Sequence, residues 1–112
     1  MGKKENSMKI KDLINEKYDN IKYNIVVEIE KILKLHSNEF KNLINEDPKI
    51  ISDTGIVILK FNNNIKKSKN ELIDILYLMI QPIADKYDIE IKSSINIKFI
   101  GRKIYIIVKE II

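Results

Sequence analysis

Few side chains in this sequence are of the types that carry out chemistry. The chain has no cysteine, which excludes disulfides, thiolate metal sites and cysteine nucleophiles. Its single histidine, His36, falls on the apolar face of a predicted helix, and no carboxylate stands three or four residues before it. A zinc site needs several such ligands. We therefore expect a packed or helix-capping His36, no metal site and no cofactor.

Two short patterns are candidates for catalysis. Glu90-Ile91-Lys92, in a predicted strand, resembles the E-x-K element of metal-dependent nucleases, but such a site needs a second acidic residue to share the metal. A metal-free ribonuclease toxin could use Lys98 or Tyr105 as base and Arg102 on the developing phosphate charge. No motif supports either activity, and the three glycines form no phosphate-binding loop. We expect a protein that is not an enzyme.

The basic residues are concentrated in the second half of the chain. Residues 1–54 hold ten lysines against ten carboxylates, whereas residues 55–112 hold ten lysine or arginine residues against six carboxylates. The stretch 91–109 has five basic residues and no carboxylate. Clustering of this kind is typical of a surface that attracts nucleic acid.

The composition also points to a genomic setting. The chain holds 26 isoleucines, 19 lysines and 12 asparagines, and AT-rich codons favour all three types. This bias indicates a low-GC bacterium or one of its mobile elements, and part of the lysine excess follows from it.

Apolar residues at helical spacing predict the helices. They favour a helix over residues 8–18 that stops at Asp19-Asn20. A second helical stretch follows and ends at Leu43, and Ser37, a candidate N-cap residue, divides it into two helices. Ser68-Lys69-Asn70-Glu71 matches a capping box and predicts a helix that runs to about Tyr87. We expect Pro82 to kink this last helix.

Two other segments predict strands. Gly55 to Phe61 is short, β-branched and bounded by turn residues. From Ile89 onward apolar and polar residues alternate, and Gly101-Arg102 is a candidate two-residue turn of type II′. The resulting hairpin register places three apolar pairs on one face: Phe99 opposite Ile104, Ile97 opposite Ile106, and Ile95 opposite Val108.

These elements predict an α+β domain: N-terminal helices followed by a β-α-β-β unit, with a small three-stranded sheet and a C-terminal β-hairpin. One domain over residues 8–112 fits the length, and we expect residues 1–7 to be a disordered lead. The helix and basic hairpin of the second half weakly resemble a winged helix. No apolar run reaches the roughly 18 residues of a membrane span, so we expect a cytoplasmic protein without membrane contact.

The second face of the hairpin is the candidate binding surface. A basic sheet face with an aromatic residue can hold phosphates and stack a base, and a basic hairpin tip can enter a groove. We therefore expect a small non-catalytic nucleic-acid-binding protein that accompanies or regulates a mobile element. DNA is favoured over RNA as its ligand. The central contacts would be Lys98, Arg102, Lys103 and Tyr105, with Lys92, Lys109, Lys66, Lys67 and Lys69 flanking them.

Four isoleucines on the same face support an alternative. Ile56, Ile58, Ile100 and Ile107, extended by Ile111 and Ile112, indicate that something apolar covers part of this surface. The cover would be the N-terminal helices or a second copy of the chain, and we expect a homodimer. The alternative function is therefore a protein-interaction, inhibitor or assembly module, in which the lysines form a polar rim or prevent edge-to-edge aggregation.

Overall fold

Helices and one antiparallel sheet make up the fold. The computed structural model describes residues 10–63, 65 and 68–109, with side chains from residue 20 onward. The elements in chain order are α1 (Ile10–Leu35), α2 (Ser37–Ile44), β1 (Lys49–Asp53), β2 (Ile56–Lys60), α3 (Lys69–Lys86), α4 (Ile91–Ser94), β3 (Ile95–Ile100) and β4 (Lys103–Val108). The four strands lie in the order β1-β2-β4-β3. The predicted α+β class is confirmed.

The sheet has four strands, so the prediction of three was wrong. The missed strand, β1, reads Lys-Ile-Ile-Ser-Asp and pairs antiparallel with β2 across Thr54-Gly55. Its two isoleucines are too short a β-branched run to stand out between Pro48 and two polar residues. Gly55 has a φ of +70°, a left-handed conformation in which glycine meets little steric cost. The turn therefore decides a pairing that the composition of the strand does not predict.

The first helix is continuous, and the predicted stop at Asp19-Asn20 was wrong. Asp and Asn cost well under about 1 kcal/mol each inside a helix. The predicted break further on is confirmed, but His36 rather than Ser37 is the N-cap residue of α2. The His36 carbonyl accepts the amides of Glu39 and Phe40 at 3.1 and 3.2 Å. The His36 side chain makes no capping hydrogen bond, so His36 occupies the N-cap position through its backbone alone.

The C-terminal hairpin matches its predicted register. Ile95 pairs with Val108, Ile97 with Ile106 and Phe99 with Ile104. Gly101 has a φ of +60° while Arg102 does not have a positive φ, the combination that defines a type II′ turn. The strand begins later than predicted, however, because residues 91–94 form the short helix α4.

Helices α1 and α3 pack on one face of the sheet and build the core with it. In the sheet, Ile95, Ile97, Ile104, Ile106, Val108, Val57 and Leu59 are buried. The helices contribute Ile25, Val26, Ile29, Leu33, Phe40, Leu72, Leu76, Ile80, Ile83 and Ala84. Helix α3 spans the range predicted from the sequence and continues through Pro82. Among the described residues, no helix is both long and apolar enough to cross a bilayer.

An ion pair joins the two long helices beside this core. Lys86 Nζ of α3 donates to Glu28 Oε1 of α1 at 2.7 Å. The Lys86 ammonium, followed by the Tyr87 hydroxyl, holds the pKa of Glu28 below its ordinary value. Glu28 in turn raises the pKa values of Lys86 and Tyr87. The contact therefore resists titration from both the acid and the alkaline side.

Candidate nucleic-acid interface

The sheet has a second face, here called the outer face, that points away from α1 and α3. Side chains opposite each other in antiparallel strands share a face, so the register defines three rows across the sheet. The lysine row is Lys49, Lys60, Lys103 and Ile100. The middle row is Ile51, Ile58, Tyr105 and Lys98, and the third row is Asp53, Ile56, Ile107 and Asn96. None of these side chains belongs to the core.

The lysine row places three like charges on neighbouring strands. Lys49 pairs with Lys60, and Lys60 pairs with Lys103. Neighbouring strands lie about 4.8 Å apart, and like charges directly opposite each other are destabilising. Within the part of the chain that the structure describes, none of the three has an ion-pair or hydrogen-bond partner. The row is therefore a cationic strip that an external anion would stabilise.

The middle row sets an aromatic ring beside this strip. Tyr105 is half-buried between Ile58 on β2 and the exposed Lys98 on β3. The predicted pairing of Lys98 with Tyr105 is confirmed. Because Lys103 lies two residues before Tyr105 on the same face of β4, a phosphate at the lysine row and a base on the ring can belong to one bound strand.

Arg102 does not project from the hairpin tip in the way a groove-entering side chain would. Its Nη1 donates to the Asn62 carbonyl at 2.9 Å, and its own carbonyl accepts the Phe61 amide at 2.9 Å. The carboxylate of Glu46 accepts the Asn62 and Asn63 amides in the same loop. Arg102 thus ties the hairpin turn to the end of β2.

Three other predicted flanking lysines lie away from the outer face or at its margin. Lys69 opens α3, with its ammonium 5.1 Å from the centroid of the Phe99 ring. The expected strand position of Lys92 was wrong, because Lys92 lies on α4 with its ammonium 5.8 Å from the centroid of the Tyr77 ring. Lys109 is exposed just beyond β4. Lys66 and Lys67 lie outside the described residues.

The isoleucines of the alternative hypothesis do share the outer face. Ile56, Ile58 and Ile107 are half-buried, and Ile100 is 61% exposed. The suggestion that the N-terminal helices cover them was wrong, because α1 packs on the opposite face. Ile111 and Ile112 lie outside the described residues.

Two residues of the site, Lys49 and Lys60, were missed at the level of sequence. Lys60 has the same parity as Ile56 and Ile58 within one predicted strand, so period-two geometry would have placed it on this face. Lys49 belongs to the strand that the pattern did not reveal. The lysine row depends on the order of the strands, which the local pattern does not contain.

The catalytic candidates gain no support from the geometry. Glu90 precedes α4 and is not in a strand with Lys92. His36 Nδ1 lies 3.0 Å from Glu39 Oε1. Among the described residues, no three His, Cys, Asp or Glu side chains are grouped so that they could hold a metal ion.

Comparison of the chain with protein-family models, with curated proteins and with solved structures gave no match. The weak resemblance of the second half to a winged helix therefore stays a prediction. The outer face, with its lysine row and Tyr105, is the feature on which a function can be based.

Proposed function

We propose that this chain is a non-catalytic, cytoplasmic nucleic-acid-binding protein that binds a single strand along the outer face and acts as a homodimer. The observation that carries the proposal is the row of Lys49, Lys60 and Lys103 beside Tyr105, three lysines that have no ion-pair or hydrogen-bond partner among the described residues. Lysines that neutralise phosphates release counterions, and a base stacks on an aromatic ring whatever its sequence. Both contacts are available together on this face.

A single strand fits this face better than a duplex does. Arg102, which would lead a groove-entering hairpin tip, is bonded to the Asn62 carbonyl. The major groove of a duplex admits an α-helix or a two-stranded ribbon but not the face of a four-stranded sheet. Such a face can instead accept unstacked bases that lie flat against it. A single strand is therefore the proposed ligand. Single-stranded DNA follows the expectation from the sequence, and RNA and duplex DNA are the competing ligands in the test.

Fluorescence anisotropy of labelled single-stranded DNA, single-stranded RNA and duplex DNA tests the proposal directly. Each should be titrated at several salt concentrations, starting near about 0.05 M where electrostatic binding is strong. We expect the K60E/K103E variant to lose at least about tenfold in affinity for single strands. Its salt dependence should fall by about 0.7 in log–log slope for each phosphate that the variant no longer neutralises.

The matched control is the K31E/K41E variant, which changes the net charge by the same amount. Lys31 and Lys41 are exposed on α1 and α2, the helical side of the molecule. This control should bind almost as tightly as the parent chain. Equal losses in both variants would show attraction by net charge rather than by the outer face. No binding of any probe at the lowest salt would refute the proposal.

One observation favours a second candidate function. Ile51, Ile56, Ile58 and Ile107 form a continuous apolar area on the uncovered face, and such areas mark protein–protein contacts. In a protein-interaction module, the I58D variant would abolish binding to the partner. Reversal of Lys60 and Lys103 would then only slow association, because charges at an interface rim act mainly on the association rate.

A further inference from the structure

The two edges of the sheet differ in how their backbone groups are satisfied. At the β3 edge, the Tyr77 hydroxyl of α3 accepts the Ile97 amide at 3.2 Å and donates to the Ile95 carbonyl at 3.5 Å. Unpaired backbone groups at a sheet edge are a template for pairing with another chain. Tyr77 therefore blocks the part of this edge from Ile95 to Ile97.

The β1 edge has no neighbouring strand in the part of the chain that the structure describes. In a hairpin with a two-residue connection, the residues that flank the turn exchange hydrogen bonds, and the pattern then alternates along the strands. The backbone groups of Lys49, Ile51 and Asp53 therefore point to β2, and those of Ile50 and Ser52 point away from the sheet. The β3–β4 hairpin obeys the same alternation, which is why Tyr77 meets Ile95 and Ile97. Within the described residues, no hydrogen bond satisfies the outward backbone groups of Ile50 and Ser52.

We infer that β1 pairs antiparallel with β1 of a second copy, about a two-fold axis at Ile51. The two four-stranded sheets then form one continuous eight-stranded sheet. Each Ile50 exchanges two backbone hydrogen bonds with Ser52 of the second copy, so four bonds close the edge. This inference rests on one part of the proposed function, the homodimer, because it names the interface of that dimer. It does not depend on nucleic-acid binding.

The charges of β1 select this arrangement. Pairing about Ile51 sets Lys49 of each copy opposite Asp53 of the other, on the outer face, and leaves Lys60 and Lys103 as the lysines of the row that can contact phosphate. Opposite charges across strands are stabilising and like charges are destabilising. A parallel pairing in register would set Lys49 beside Lys49. An antiparallel pairing shifted by two residues in either direction would set only one of the two charges, Lys49 or Asp53, opposite Ile51 and leave the other beyond the end of the paired strand. The strand is therefore self-complementary in one register.

Apolar side chains on α1 lie along the same edge. A groove of about 530 Å³ separates α1 from β1, and Tyr23, Val26 and Val27 line it together with Ser52. Tyr23 is 68% exposed, which is unusual for a large aromatic side chain. A second copy paired on β1 would approach this groove and cover it, so the helical side contributes to the interface as well.

Sedimentation equilibrium without nucleic acid tests this interface. The informative variant is S52P, because the Ser52 amide points away from β2 and proline is tolerated on an edge strand at such a position. We expect S52P to raise the dimer dissociation constant at least about tenfold. S52A is the matched control: it removes the Ser52 hydroxyl bond to Glu30 of 2.7 Å but keeps the amide, and it should remain dimeric.

A charge exchange checks the register without a change in the backbone. K49D and D53K should each weaken the dimer when alone, and an equimolar mixture of the two should associate again as a heterodimer. Dimers that survive S52P but dissociate in I58D would place the contact on the outer face and overturn the inference. A parent chain that is monomeric throughout would overturn it too, whereas the K60E/K103E binding result would still decide the proposed function.

Discussion

Tyr105 is the residue on which the stacking part of the proposed function depends. It lies in the middle row of the outer face, between Ile58 and Lys98. Loss of an aromatic platform costs about 1–3 kcal/mol per stacked base. We expect Y105L to weaken single-strand binding by a factor between about 5 and about 140, as measured by anisotropy.

The control for this prediction is Y105F, which keeps the ring and should bind as the parent chain does. Stacking does not depend on salt as phosphate contacts do, so Y105L should leave the salt slope unchanged. A reduced slope in Y105L, or equal binding by Y105L and Y105F, would contradict a stacking role.

At the scale of single residues, the alternation of side chains between the two faces of a strand identified part of the site. Lys98, Lys103 and Tyr105 follow from the alternation of one hairpin, and the structure brings them together. This alternation gave no information on the partners of a long side chain. The bond from Arg102 to the Asn62 carbonyl and the position of Lys69 over Phe99 depend on the tertiary fold.

At the scale of elements, the C-terminal hairpin depends on its turn. Gly101 has a φ of +60°, and apart from its chain neighbours no atom of the described residues lies within 4 Å of the position that a Cβ would take there. Its substitution therefore causes backbone strain rather than a clash with those residues. We expect G101A to lower the free energy of unfolding by about 1–2 kcal/mol, measured by urea denaturation. G101N should cost less, because asparagine tolerates a positive φ better. Equal losses in the two variants would mean that the positive φ is not what requires glycine.

The elements also show where local pattern is sufficient. The hairpin was predicted with its register because six apolar residues and a glycine-led turn agree. Helix α1 was predicted as two pieces because Asp19 and Asn20 are turn formers, although neither forces a helix to end. Strand β1 was missed because its stability comes from pairing with β2 across Gly55. Local propensity therefore failed wherever a neighbouring element decides the structure.

At the scale of the whole molecule, the two faces of the sheet differ in what they contact. One face forms the core with α1 and α3, and every buried side chain among the described residues is apolar. The other face carries, at one end, three lysines that have no partner in the described part of the chain, and Asp53 lies at the other end. The predicted hairpin places Lys103 on this outer face. The positions of Lys49, Lys60 and Asp53 relative to Lys103 depend on the strand order, in which β2 lies between β1 and β4.

The helices that back this sheet make stability depend on pH at both extremes. Lys86, followed by Tyr87, holds the pKa of Glu28 below its ordinary value, and Lys34, followed by Ser52, does the same for the pKa of Glu30. A carboxyl group with a lowered folded pKa contributes stability above its unfolded pKa, near 4.5, and loses it as the pH falls through the folded pKa. We therefore expect the urea midpoint to fall below about pH 4.5.

On the alkaline side of the stability curve, the pKa shifts have the opposite sign. Glu28 raises the pKa of Lys86 above 10.5 and that of Tyr87 above 10.0. Groups with raised folded pKa values contribute stability below their unfolded pKa and lose it as the pH rises through the folded values. The urea midpoint should therefore be level between about pH 5 and 10 and fall beyond about pH 10.

The E28Q variant joins the two limbs in one experiment, because Glu28 is the partner on both sides. It should have a lower midpoint on the plateau, a shallower acid limb that retains the Glu30 contribution, and a shallower alkaline limb. K41E changes an exposed charge on α2 that does not contribute to the pKa shifts of Glu28, Lys86 or Tyr87, so its alkaline limb should match that of the parent chain. If E28Q leaves the alkaline limb unchanged, the contact between α1 and α3 does not control the titration of Lys86 and Tyr87.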